Sequence, residues 1–599
     1  MADTTRIEKI AVNYIEENIL KCKHLDPAIN SEDREPSWDG CIRIYNTDSK
    51  DKENMLGLVK VQVKGQTCIE FNQESISYSV DIADLKNYLQ NGGVIFFVVQ
   101  ESPSAEKKAF YETLLPVKLQ QYLDGVDANQ HTKTIHLRPF PVNEPSRMET
   151  ILTNFFIDAQ RQASFANASL MSPEDLKNNK NIEQISFSTT TFYSPDANKA
   201  DTLAPFFENE VFFYAKIKGS SISEPIRCTP KSIGFISNTQ SKIAVGDETY
   251  YPNCTIFRTK DILKITWGPG FSLIMSGNGK NNTFNYQCPN LLSQRLLNQR
   301  FLCALGKYKS FRIGPVEIPC HELVELADPQ REKDLEKLER VQKLLLEMHV
   351  TDDLDFSKIT PSQSKSLHLL IQSIIDKQPI ANVTVCKDTP ICTDVSIGNL
   401  SLRVIIAPSR IESGKYDIRD FFARKEWVIA YTLENSNTYY RMPRAALLKK
   451  ENFLHLSNID YDYIIKEYEE IAPSNSQIYL MANETLNILL TAYDKKHKNI
   501  YLDSASRIAD LMIKGDTPWF TFADKMLDIL QIAKRKRRLS AEEEDVLYRI
   551  TSDKDATSFC KLGAYLLLGD KKMAKRIYKQ LNIEEQEVFN ESPMHRFWK

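Results

Sequence analysis

Asp39, Gln62 and Lys64 have the types and spacing to handle a phosphate ester. Asp39 sits in the turn Trp38-Asp39-Gly40, just before an apolar run at 41–45. The segment at 57–64, GLVKVQVK, alternates Leu58, Lys60, Gln62 and Lys64 with Val59, Val61 and Val63. A period of two marks a strand with one buried face, so Gln62 and Lys64 point the same way. Val63 between them sends its side chain to the core and leaves its backbone carbonyl for a cation. Magnesium takes hard oxygen ligands, usually one or two carboxylates completed by water and phosphate. Such an ion activates water and neutralises phosphate charge, and Lys64 would orient the water or stabilise the charge that develops. The chemistry expected is phosphodiester cleavage assisted by Mg2+ or Mn2+.

Taken alone, the pattern is not specific. Asp39 also suits the turn of an Asp-Gly pair, and Lys64 also suits a solvated strand position. The surrounding elements therefore decide. Residues 5–20 carry Ile7, Ile10, Ala11, Tyr14, Ile15 and Ile19 at helical spacing. Strands are expected at 41–45, 57–64, 76–80 and 94–99. A helix is expected at 81–89, with Asp81 as N-cap and Gly92-Gly93 as its stop. The order helix, three strands, helix, strand suits a mixed sheet with flanking helices.

These segments resemble a known family. Asp39-Gly40 followed by Val61-Gln62-Val63-Lys64-Gly65 resembles the D…QxK form of the PD-(D/E)XK nucleases related to Mrr. WDGCIRIYN, VQVKGQ, YSVDIADLKNYLQNGGVIFFVV and YETLLP more closely resemble a widespread bacterial family of uncharacterised PD-(D/E)XK nuclease-like proteins, often associated with phage defence. The resemblance covers about residues 5–125. It implies an endonuclease acting on DNA ahead of RNA, as an antiviral effector. It also implies a metal-site glutamate from the first helix, where Glu8 is favoured over Glu17 and Glu16. The metal set is then Asp39, Gln62, Val63 and Glu8, with Lys64 as the catalytic cation. Gln62 stands where many relatives carry an acid, which removes one negative charge. The alternative is a non-catalytic subunit that binds nucleic acid or protein.

The 599 residues are too many for one core. The expected division is a PD-(D/E)XK-like α/β domain at 1–165, a β-rich domain at 166–325, a helical hairpin with an α+β part at 326–475, and a helical, repeat-like domain at 476–599. Helices are expected at 108–122, 147–163, 291–305, 329–349 and 364–376, and strands at 131–141, 311–318, 399–407 and 427–433. A net charge of −3 excludes a broadly basic coat, so contact with nucleic acid must be local. Eleven cysteines include no CxxC pair, and Cys386 and Cys392 have poor zinc spacing. This usage fits a reducing cytoplasm. The polar first ten residues do not read as a signal peptide, and no run is long enough to span a membrane. A protein partner is expected through the helical C-terminus, and homo-oligomerisation stays open.

Other signals are weaker. The basic run 534–538 could touch phosphate, but it also suits a helix C-terminus, and Ser540 with Glu543 forms a capping-box pattern. Residues 321–325, HELVE, lack the second histidine of a zinc protease motif. Residues 562–581 are spaced like part of a tetratricopeptide hairpin, without a second copy. No phosphate-binding glycine loop follows a strand, so neither an ATPase nor a dinucleotide site is expected.

Overall fold

The computed structural model describes residues 2–30, 37–71, 74–127, 129–192, 203–228, 230, 233–276, 282–320, 330–381, 389–424, 427–432, 437–515 and 518–598. The protein is a multidomain α/β chain with an N-terminal mixed sheet, further β-rich regions and C-terminal helices. It divides into two compact units. The first holds residues 1–239, 255–266 and 272–284, and the second holds 240–254, 267–271 and 285–599.

In the first unit, α1 (Ala2–Ile19) leads into β1 (Leu25–Ile29), β2 (Gly40–Tyr45), β3 (Met55–Thr67) and β4 (Ile76–Asp81). Then come α2 (Ile82–Gln90), β5 (Val94–Glu101), β6 (Lys107–Leu114), α3 (Pro116–Leu123), β7 (Thr132–Pro139) and α4 (Pro145–Gln162). The seven strands form one sheet in the order β1-β2-β3-β5-β6-β7-β4. Only β3 and β5 run parallel, with Val61 beside Ile95 and Val63 beside Phe97; β4 and α2 make the crossover that a parallel pair requires.

Val59, Val61 and Val63 pack with Ile95, Phe97 and Val99 against Ala11 and Ile15 of α1 and Met148 and Leu152 of α4. On the other face, Phe96 and Val98 pack with Leu85 and Tyr88 of α2 and Leu119 of α3. Both faces are covered, so β5 is buried along its whole length.

Several expectations need correction. The helix expected at 108–122 is strand β6 followed by the short α3. All side chains from Ala109 to Leu114 are buried, so β6 lacks the polar-apolar alternation by which a half-covered strand is recognised. Pro116 then opens α3. Edge strand β1 had no signal, because Pro27 interrupts it; an edge tolerates that residue. Asp81 stands at the N-cap of α2 without making a side-chain capping bond. The single strand expected at 311–318 is a hairpin, Ser310–Ile313 with Val316–Pro319, turning at Gly314 with φ 57°. The helix expected at 364–376 runs as Pro361–Leu370 and ends in a wider π turn, Ile371–Ile375. The turn residues 277–279, the start signal Asp328-Pro329, the 321–325 stretch and Cys386 lie outside the described residues.

Among the described residues, the second unit buries several apolar clusters. One joins the helices Gln330–Glu347 and Pro361–Leu370 to the strands Ile391–Ile397, Leu400–Pro408 and Tyr416–Asp420. A second packs Ile405, Phe421, Phe422 and Phe453 with the helices from Tyr461 to Lys514, and a third lies among the helices from Phe522 to the C-terminal end. Among the described residues, no helix is long and apolar enough to cross a membrane.

Candidate metal and phosphate site

Strand β2 pairs with β3 only as far as Gly40 opposite Val61. Asp39 continues one step, its N–H donating to the Val61 carbonyl at 2.9 Å. Beyond that point the β3 edge is met by the Asp39 side chain instead of another strand. Asp39 Oδ2 accepts from the Val63 N–H at 2.8 Å and from Gln62 Nε2 at 2.6 Å. The N–H and C=O of one strand residue point toward the same neighbour, so the Val63 carbonyl lies on this edge too. Asp39 Oδ1 has no hydrogen-bond partner among the described residues and is reached by solvent.

Gln62 is buried, while Lys64, two positions on, is about one-third exposed. Lys64 Nζ lies 3.6 Å from Glu8 Oε1. Burial pushes the Asp39 carboxyl above the usual carboxylate range. The Val63 N–H, the Lys64 charge and the Gln62 amide oppose that rise, and the Glu8 charge adds to it. Asp39, Gln62, Lys64 and Glu8 therefore gather at one place.

The rival glutamates go elsewhere. Glu16 Oε1 accepts from the Ile29 N–H at 3.2 Å and closes the α1–β1 corner. Glu17 is exposed, with its charge felt by Tyr14. A helix turns about 100° per residue, so residues 8 and 17 face opposite ways.

Gly65 has a part that its sequence context did not announce. A Cβ there would stand 2.6 Å from the Ile7 carbonyl oxygen and 2.6 Å from Ile7 Cγ2. Only glycine lets α1 lie this close to β3, and that approach delivers Glu8 to Lys64. The one available signal was a glycine directly after an alternating strand, which often marks close backbone approach.

Comparison of the chain with family models, curated proteins and solved structures finds no match.

The donor set can be tested against a divalent ion. Among the described residues, no three His, Cys, Asp or Glu side chains stand close enough together to hold a metal. What the site offers is two carboxylates and one backbone carbonyl, all hard oxygen donors, with the Gln62 amide oxygen joining them only if the amide turns over. That is lean for zinc or calcium, but it fits magnesium, which commonly takes one or two carboxylates and leaves the rest to water and phosphate.

The basic run has a structural part. The Arg535 side chain is fully buried; its Nε and Nη2 donate to the two oxygens of Asp494 at 2.9 and 2.7 Å. Arg537 pairs with Glu543 at 2.7 Å, and Glu543 completes the capping box with Ser540. Lys536 reaches Asp503 at 3.2 Å. Arg535, Lys536 and Arg537 thus each face a carboxylate of the helical region, Arg535 alone being fully buried.

Proposed function

We propose that the N-terminal domain is a PD-(D/E)XK-type endonuclease that cleaves DNA with the help of Mg2+ or Mn2+. The observation that supports this reading most is the Asp39 carboxylate at the β3 edge, beside Gln62, with Lys64 and Glu8 at the same opening. Asp39, Glu8, the Gln62 amide oxygen and the Val63 carbonyl would hold the cation. The bound cation supplies an activated water and neutralises charge on the phosphate. Lys64 brings a positive charge on the same strand face, where it steadies the negative charge that grows on the phosphoryl oxygens. Glu8 holds the Lys64 ammonium toward the site. The antiviral effector role rests on the family resemblance, with the later domains receiving a trigger or a protein partner.

A second reading has one observation in its favour. Gln62 donates its Nε2 to Asp39, so its nitrogen, not its oxygen, meets the carboxylate. To ligate a cation, the amide must turn over. In the non-catalytic reading it stays as found, and the domain binds nucleic acid without cutting.

The test is cleavage of single- and double-stranded DNA and RNA by the purified protein with Mg2+ or Mn2+, and its loss on chelation. Asp39→Ala and Lys64→Ala should each lower the rate by about 10²–10³-fold, as loss of one preorganised contact does. Cleavage that survives both changes intact places the active site elsewhere. Binding without cleavage supports the second reading.

A further inference from the structure

The turn that carries Asp39 is held from outside the cation set. Ser37 has φ 85°, a left-handed conformation unusual for a residue with a side chain. Such a conformation persists where its surroundings hold it. Two residues of α2 do so: Ser37 Oγ donates to Asp84 Oδ1 at 2.9 Å and accepts from Asn87 Nδ2 at 2.8 Å.

One turn further along, the Asn91 carbonyl and Oδ1 each accept from Lys60 Nζ at 3.4 Å. The Lys60 ammonium also lies over the Trp38 ring, 4.4 Å from its centre. Positions 84, 87 and 91 stand three and four residues apart, so they form one stripe on the helix. The stripe holds the approach to Asp39 at two successive residues, directly at Ser37 and through Lys60 at the Trp38 ring. Asn91 is in turn fixed by its own Nδ2, which donates to the Asn87 carbonyl at 2.9 Å.

We propose that the α2 stripe Asp84, Asn87 and Asn91, acting through Ser37 and Lys60, is a positioning device that sets the Asp39 carboxylate for a divalent cation. This rests on the reading of Asp39 as a cation ligand. The stripe touches no proposed ligand. It fixes the backbone on one side of Asp39 while β3 fixes the carboxylate on the other. The register of α2 thereby becomes part of the site's geometry, and a shift of this helix would alter the site without changing any ligand.

The experiment is Mn2+ binding to the full-length protein, followed by electron paramagnetic resonance and calorimetry, with circular dichroism to verify the fold. Ser37→Gly accepts the left-handed backbone without strain but loses both bonds; Asn87→Ala loses one. Each should weaken Mn2+ binding, with Ser37→Gly in the range of about 10–100-fold that supporting partners of metal ligands show. The melting temperature should stay near that of the parent. Asp84→Asn, which keeps an acceptor for Ser37, should bind nearly as the parent does. If Asp39→Ala removes binding while Ser37→Gly and Asn87→Ala leave it unchanged, the stripe has no positioning role and the ligand reading stands. A fall in affinity that tracks a fall in melting temperature also overturns the positioning role. If the parent binds no Mn2+, or Asp39→Ala leaves binding intact, the ligand reading fails and the inference falls with it.

Discussion

Gly65 rests directly on the backbone of Ile7, with room for no Cβ between them. The next residue of α1, Glu8, reaches Lys64, the residue before Gly65. Helix and strand thus touch at the step that pairs their charged side chains.

Gly65→Ala should therefore act on stability and on the site together. The added methyl meets backbone atoms, which cannot rotate away, so overpacking should cost about 1–3 kcal/mol. Moving α1 outward also parts Glu8 from Lys64 and should weaken Mn2+ binding. Urea denaturation and Mn2+ titration measure the two effects; an unchanged unfolding midpoint would show that the close approach is not tight.

Gln62→Glu separates a ligand from a spacer. The new carboxylate would stand against Asp39, and two like charges there disfavour ionisation of both. Without a cation the variant should be less stable than the parent near neutral pH. With Mn2+ it should recover and bind the ion more tightly, since the site regains a negative charge. Equal Mn2+ affinity in parent and variant, measured by calorimetry, removes Gln62 from the ligand set.

Arg444 and Glu467 form an ion pair in the second unit, each with about 1% of its side chain exposed. Arg444 Nη1 donates to Glu467 Oε1 at 3.2 Å, its backbone N–H to Oε2 at 2.7 Å, and Nη2 to the carbonyls of Ala423 and Trp427. Its guanidinium also lies over the Trp427 and Tyr463 rings. Arg444→Ala should cost about 3–5 kcal/mol by leaving the buried Glu467 with only the more distant Arg441, 3.8 Å away. Arg444→Lys should recover little, because an ammonium lacks the planar fork. Calorimetric melting checks both, and a shift of the lysine variant back to the parent value would refute the geometric argument.

Asp528 gives a pH dependence with a definite sign. Burial pushes its carboxyl up to about 7; Gln531 opposes the shift, and the nearby Asp524 adds to it. In the unfolded chain the group ionises near its ordinary value of 3.8. Between these values the folded state holds a proton that the unfolded state has lost, so stability falls as pH rises from about 4 to 7. Asp528→Asn should remove this loss. It should stabilise the C-terminal helices at pH 8 by roughly 1–3 kcal/mol relative to the parent and have little effect at pH 4. Thermal melting at the two pH values reads it directly, and an equal shift at both would assign the effect to packing.

The legible parts of the N-terminal domain were those with a local pattern, either one covered face or, in β5, an unbroken apolar run. The alternation of β3 set Gln62 and Lys64 together before any tertiary contact was known, because a strand's side chains alternate by stereochemistry alone. The periodicity of α1 and the double glycine after α2 were local in the same sense. Opposite projections of residues 8 and 17 also follow from helix geometry, and the resemblance favoured Glu8; its approach to Lys64 comes with the tertiary contact at Gly65.

What only the tertiary structure decided depends on burial from both sides or on contacts far along the chain. Strand β6 was hidden because its neighbours cover both faces and erase the alternation. Strand β1 was hidden because its Pro27 is tolerated only at a sheet edge, and the edge is a property of the whole sheet. The grip of Asp84 and Asn87 on Ser37 joins residues 47 and 50 positions apart. These residue types carry no pattern linking them in the sequence. Residue types and strand period determined which groups share a face. Packing of α1 and α2 against the sheet decided which carboxylates meet there, since that requires backbones to approach through a glycine and a left-handed turn that sequence periodicity does not encode.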